Sequence, residues 1–192
     1  MPAHKNSENY MISLACPDTP QVWIGCLACY NAGRLTGRWY DADIAELVDG
    51  DDIHGHSTTH DELWVMDHEN FLGLIDGECS PAHAAQVAEV LKEVAPHERT
   101  PFAAWYSEYG GGGDDLAASV ERFRDEYCGE HGSEGDFARE RAEERLTAEE
   151  RQLLTRWPFS AIDWECASVE LFTGGYTSFE APGGGVYVFN IG

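Results

Sequence analysis

The sequence predicts an α+β chain laid out as consecutive small units. Three observations carry this. Apolar runs of strand length stand near the start (residues 22–28, 35–40 and 62–67) and at the end (176–179 and 186–191). Stripes of helical period fill the stretch between them, and glycine, proline or capping residues separate nearly every segment from the next. At 192 residues the chain has the length for one ordinary domain or several small ones sharing cores.

Folded structure is expected to begin near Val22, after a flexible lead over residues 1–20 that is polar and interrupted by Pro2, Pro17 and Pro20. A strand over 22–28, a turn at Asn31-Ala32-Gly33 and a strand over 35–40 lead to Asp41-Ala42-Asp43, which offers caps to a short helix with Ile44, Leu47 and Val48 on one face. A polar loop over 50–60 precedes a third strand. These make a small antiparallel sheet domain, 21–78. Ser80-Pro81 is a cap followed by an N1 proline, and Ala84, Val87, Leu91 and Val94 form the stripe behind it. Thr100-Pro101 repeats the device for a helix burying Phe102, Trp105, Tyr106 and Tyr109. After a glycine break at 110–113, Leu116, Val120, Phe123 and Tyr127 are spaced four, three and four. A helical middle domain, 79–131, results. Ser133 with Asp136, Thr147 with Glu150 and Ser160 with Asp163 have capping-box spacing. They open helices over 137–145, through Leu153, Leu154 and Trp157 to Pro158, and through Ala167, Leu171 and Phe172 to Gly174-Gly175. A hairpin turning at 182–185 completes an α+β C-terminal domain, 132–192.

Charge sets limits on partners. The formal net charge is −23, from 35 acidic against 12 basic residues, and only Lys5 and Lys92 are lysines. A nucleic acid or an anionic membrane would be repelled by such a chain. With 43% hydrophobic and 11% aromatic residues it is too apolar for a disordered acidic tail. The first 20 residues lack the apolar core of a signal peptide, no run of 18 apolar residues exists, and six cysteines in a chain this large read as reduced thiols; a cytoplasmic location is expected.

The acids have a pattern. On the helix-forming stretch 114–150, Glu121 and Asp125, and Asp136, Glu140 and Glu144, recur four residues apart, so in helices they stack on one face about 6 Å apart. Duplex DNA carries a charge per roughly 1.7 Å of axis. A folded carboxylate array of comparable pitch suits a groove built for DNA. The expected array comprises Asp41, Asp43, Glu46, Asp49, Asp51 and Asp52, then Asp61, Glu62, Asp67 and Glu69, then Glu89 and Glu93. It continues through Asp114, Asp115, Glu121, Asp125, Glu126 and Glu130, and through Glu134, Asp136, Glu140, Glu143 and Glu144.

Other chemistry-bearing patterns are weaker. His54, His56, His60, Asp61 and His68 invite a metal reading, but Thr58 and Thr59 stand where a His-x-His-x-Asp-His loop needs Asp and His. Cys26-x-x-Cys29 is half of a zinc-ribbon signature without its second pair, and on a strand and turn its thiols read as core residues. The glycine runs at 110–113 and 183–185 lack the Lys-Ser/Thr of a phosphate loop. No serine sits in a nucleophile elbow. No cofactor, metal or catalytic residue is therefore assigned.

Several segments are similar to one family. Val22-Trp23-Ile24-Gly25-Cys26-Leu27-Ala28-Cys29-Tyr30-Asn31-Ala32-Gly33 and Gly37-Arg38-Trp39-Tyr40-Asp41-Ala42 resemble the opening strand, Tyr-Asn-x-Gly turn and Gly-x-Trp strand of the ArdA antirestriction proteins, which are encoded on mobile elements and mimic DNA. Glu62 to Phe71 resembles the family's acidic strand, with Asn70 where glycine is usual. Leu153, Leu154 and Trp157, then Ile162-Asp163-Trp164-Glu165-Cys166-Ala167, lie along the antirestriction motif, with Trp157-Pro158-Phe159 in place of an Arg-Pro-Tyr-like step and Cys166 at a usual alanine. The resemblance spans roughly residues 21–192. It implies an elongated three-part chain, a homodimer paired through the C-terminal part, and occupation of the DNA-binding groove of type I restriction-modification enzymes, with no turnover. Two alternatives stand beside it: an acid-rich protein of another function adapted to salt, and a metalloenzyme built on His54, His56, His60 and Asp61.

Overall fold

The computed structural model describes residues 19–110 and 116–192. Nearly all of the expected lead, together with Asp114 and Asp115, lies outside them. The architecture is mixed α+β with two small antiparallel sheets, and the chain divides into two compact units, one ending at Glu89 and the other running Val90–Gly192.

The first unit is organised by β1 (Gln21–Cys26), which pairs on one side with β2 (Gly37–Asp41) and on the other with β3 (Leu63–Glu69). Val22, Ile24 and Cys26 alternate into the core and are fully buried. Trp23 lies across the opposite face, so close to Gly37 that a Cβ there would sit 2.4 Å from its ring. The Gly-x-Trp spacing thus leaves the indole room. The first strand stops two residues sooner than expected. Cys26 caps a short helix, α1 (Leu27–Asn31), its Sγ accepting from the Cys29 N–H at 3.4 Å, which draws Leu27 and Ala28 into helix.

Two further expectations are corrected here. The residues after β2 form a 3-10 turn, Ala42–Leu47, whose period of three buries Ala42 and Ala45 and leaves Ile44 and Leu47 exposed by 44% and 74%. Part of the polar loop is also helical: α2 (Gly50–His54) is held by a reciprocal box between Asp49 and Asp52. Beyond β3, the helix α3 (Pro81–Glu93) starts where Ser80 Oγ accepts from the His83 N–H at 3.2 Å, and Ala84, Val87 and Leu91 are buried as their spacing predicts.

The second unit centres on aromatic side chains. In α4 (Arg99–Tyr109) Phe102 and Trp105 are fully buried, and Phe123 of α5 (Leu116–Glu126) meets both rings, at 5.3 and 6.0 Å between centroids. Tyr127 does not continue the helix. It opens β4 (Tyr127–His131), stacked 5.0 Å from Phe123, and this strand pairs with the closing hairpin β5 (Tyr176–Glu180) and β6 (Val186–Asn190) in the order β4-β6-β5. A four-residue step from Phe123 reads as helix in one dimension, whereas the open ladder of β6 claims the backbone from Tyr127 on.

Ser133 caps α6 (Glu134–Glu144), and Thr147 and Glu150 form the expected box on α7 (Ala148–Leu153). The latter ends before Trp157, because Thr155 and Arg156 bond back three residues and Pro158 has no N–H to continue. Ser160 sits in a 3-10 turn, Phe159–Ala161; the cap of α8 (Trp164–Thr173) is Asp163 alone, accepting from the Cys166 N–H at 3.0 Å.

Candidate functional site

In the first unit the carboxylates are gathered by the chain around α2 and into β3. Asp49, Asp51 and Asp52 are exposed; Asp51 accepts from the Thr58 N–H at 2.8 Å, which folds the loop back on the helix. Asp61, Glu62, Asp67 and Glu69 are exposed, the last two on one face of β3 because they are two residues apart. Glu46 is exposed on the 3-10 turn, and Asp41 and Asp43 are half-buried, with Asp41 accepting from Gln21 Nε2 at 3.2 Å. Glu89 is exposed on α3.

In the second unit Asp136, Glu140 and Glu144 are exposed on α6, one turn apart, and Glu121 and Asp125 on α5. Glu93 on α3 and Glu130 on β4 are exposed as well. Two expected members turn inward instead. Glu126 accepts from Trp105 Nε1 at 2.7 Å, and Glu134 accepts from Ser178 Oγ at 2.6 Å. Arginines one turn away offset several of these charges: Arg122 pairs with Glu126 at 2.8 Å, Arg124 with Glu121, Arg139 with Glu143 at 2.7 Å and Arg141 with Glu144 at 2.9 Å. His131 Nδ1 lies 3.1 Å from Glu140. Each helix pair contributes about 0.3–0.5 kcal/mol, enough to offset the repulsion between stacked acids without removing the negative face.

The segment 153–165 has a different character. Trp157 is exposed by 84%, and Leu153, Phe159 and Ile162 each keep between 37% and 47% of their surface in solvent, so the chain leaves apolar area uncovered here. Asp163 is used locally as a cap, and Glu165 accepts from Ser133 Oγ at 2.6 Å, tying the start of α8 to the start of α6. That contact joins residues 32 apart and had no signal in the sequence.

The matched span of a family model takes in both the opening strand and this segment. Described as antirestriction protein (ArdA), it covers residues 22–183. The chain belongs to the ArdA family of antirestriction proteins. Members of this family are inhibitors rather than enzymes. None of the curated proteins compared with the chain matches it, and among the described residues no helix is long and apolar enough to cross a membrane.

This ArdA-family chain also brings together two patterns that the sequence presented apart. Cys26, Cys29, His54 and His60 converge, their ligand atoms all within 4.8 Å of one another, while His56 and Asp61 stay outside the group. His60 Nδ1 is 3.5 Å from Cys26 Sγ and 3.6 Å from Cys29 Sγ; His54 Nε2 is 4.0 Å from Cys29 Sγ. Both cysteines are buried and reduced, and both histidines half-buried. A hydrogen bond with Thr36 foremost, then bonds with Arg34, His60 and Cys26, outweighs burial and lowers the Cys29 thiol to about 7. Burial foremost, then the neighbouring His60 and His56, holds the His54 imidazole below its ordinary value. The available signal was a Cys-x-x-Cys pair followed by two histidines six apart. It was hard to read because the 24 residues between Cys29 and His54 hold a strand and a turn before α2 brings the second pair back.

Proposed function

We propose that this chain is a DNA mimic that seats itself in the DNA-binding groove of type I restriction-modification enzymes, competes with DNA there, and so protects incoming mobile DNA. The observation that carries the reading is the set of exposed carboxylates at one-turn spacing on α6 in the second unit, with a separate set around α2 and β3 in the first, in a family whose members block restriction. A groove lined with arginine and lysine for phosphates is neutralised by such an array, and association is fast and salt-sensitive because many charges act together. No turnover is required. Within this proposal the chain works in three parts, 21–78, 79–131 and 132–192, in the cytoplasm. The last part pairs two copies through the exposed apolar residues of 153–162.

The test is displacement of a DNA duplex from a type I methyltransferase core by the full chain at two salt concentrations. Competitive displacement that weakens as salt rises is expected. If the chain leaves DNA binding untouched, or inhibits without competing, mimicry is wrong. The net charge of −23 with two lysines also fits an acid-rich protein adapted to salt, which predicts stability rising with salt and no displacement at all.

A further inference from the structure

We propose that the first unit carries a structural zinc site formed by Cys26, Cys29, His54 and His60. In a tetrahedral site with zinc–sulfur bonds of about 2.3 Å and zinc–nitrogen bonds of about 2.0–2.1 Å, sulfur and nitrogen stand about 3.6 Å apart. The sulfur–nitrogen separations of 3.5, 3.6 and 4.0 Å lie at or just beyond that edge before any ion draws the ligands in. Two thiolates and two imidazoles are the donor set that selects zinc over magnesium, calcium or manganese, and four protein ligands close the coordination shell, so the ion has no open position for catalysis.

The surroundings are built for this set. Cys26 ends β1 and caps α1, so the Cys29 N–H points at its sulfur (3.4 Å), and Arg34 Nη2 lies 3.8 Å from the sulfur of Cys29; both donors stabilise thiolate charge around a metal. His60 is placed by its own backbone. Its N–H donates to Thr58 Oγ1 at 3.2 Å, and its carbonyl packs so tightly on Gly50 that a Cβ there would sit 2.1 Å away. His54 is the last residue of α2. The ion would therefore fasten three pieces to one another: the turn after β1, the C-terminus of α2, and the loop entering β3. The acidic residues Asp49, Asp51, Asp52 and Asp61 stand on those pieces, so the metal's role is to fix the part of the surface that carries them. The site does not depend on what the acidic surface binds.

The test uses the full chain produced without a histidine tag in zinc-supplemented medium. Metal analysis of the folded protein is expected to give about one zinc per chain, falling below about a tenth in Cys29→Ser and in His60→Ala, with His56→Ala and Cys128→Ala still at about one. Since the loss variants need not fold, the wild-type chain is also stripped with a chelator and titrated with cobalt(II). Visible bands of tetrahedral cobalt and a near-ultraviolet thiolate-to-cobalt band, both abolished by one equivalent of zinc, are expected. Folded wild-type protein without bound metal and without those bands would overturn the site. So would zinc that persists in Cys29→Ser and His60→Ala.

Discussion

Phe123 is the residue on which the second unit's core converges: it is 1% exposed and meets the rings of Phe102, Trp105, Tyr127 and Phe189. Phe123→Ala should cost about 3–5 kcal/mol, read as a shift in the denaturant midpoint, because four rings cannot close on the space left. Its burial was legible from the spacing of Leu116, Val120 and Phe123. The partners were not, since Phe189 arrives from the other end of the chain. Ser133 is a smaller case with two duties, capping α6 and donating to Glu165. Ser133→Ala should lower stability by about 1 kcal/mol, most of it the lost cap. The cap was visible as Ser133 with Asp136; the Glu165 contact was visible only once α8 lay against α6.

At the scale of elements, α7 shows how a short exposed helix is held by its ends. None of its residues is buried, so the Thr147–Glu150 box carries much of its order. The Thr147 backbone N–H foremost, then its hydroxyl, keeps the Glu150 carboxyl below the usual carboxylate range. A folded pKa below the unfolded one makes this contribution fully present above the unfolded value, about 4.3, and lost as pH falls through the folded value. Amide protection over 148–153 should therefore drop on acidification before the rest of the unit loosens, and Glu150→Gln should remove that pH dependence. Hydrogen exchange across an acid series checks both. The box was readable from spacing, while the early end of α7 was not, because the 3-10 turns of residues 155–161 are selected by local backbone bonds that leave no periodicity. Likewise Ile44 and Leu47 suggested an α-helical face, but a 3-10 turn of the same residues buries alanines.

For the molecule as a whole, the proposed mimicry makes the acidic surface collective. Asp125→Ala should change inhibition by less than about threefold, whereas neutralising Asp136, Glu140 and Glu144 together with the acids of 49–69 should abolish it, since each exposed charge adds only a small part of the field. Raising salt from about 0.1 M, where the screening length is about 10 Å, to about 1 M, where it is about 3 Å, should weaken displacement of DNA strongly. Trp157→Ala should shift self-association toward monomer with the circular dichroism unchanged, as measured by sedimentation, because an indole 84% in solvent contributes nothing to the fold of a single chain. By itself the sequence determined the α+β class, the stripes of α3 to α5, the caps at Ser80, Ser133 and Thr147 though not those expected of Asp41, Thr100 and Ser160, the sign and density of charge, and the family, all of which are written in spacing or composition along one line. Tertiary structure alone decided that Tyr127 leaves its helix for a sheet, that Glu126 and Glu134 turn inward, and that two cysteines and two histidines from distant turns face one another. Those outcomes depend on which segment arrives beside which, and contacts across 21 or more residues leave no period to read.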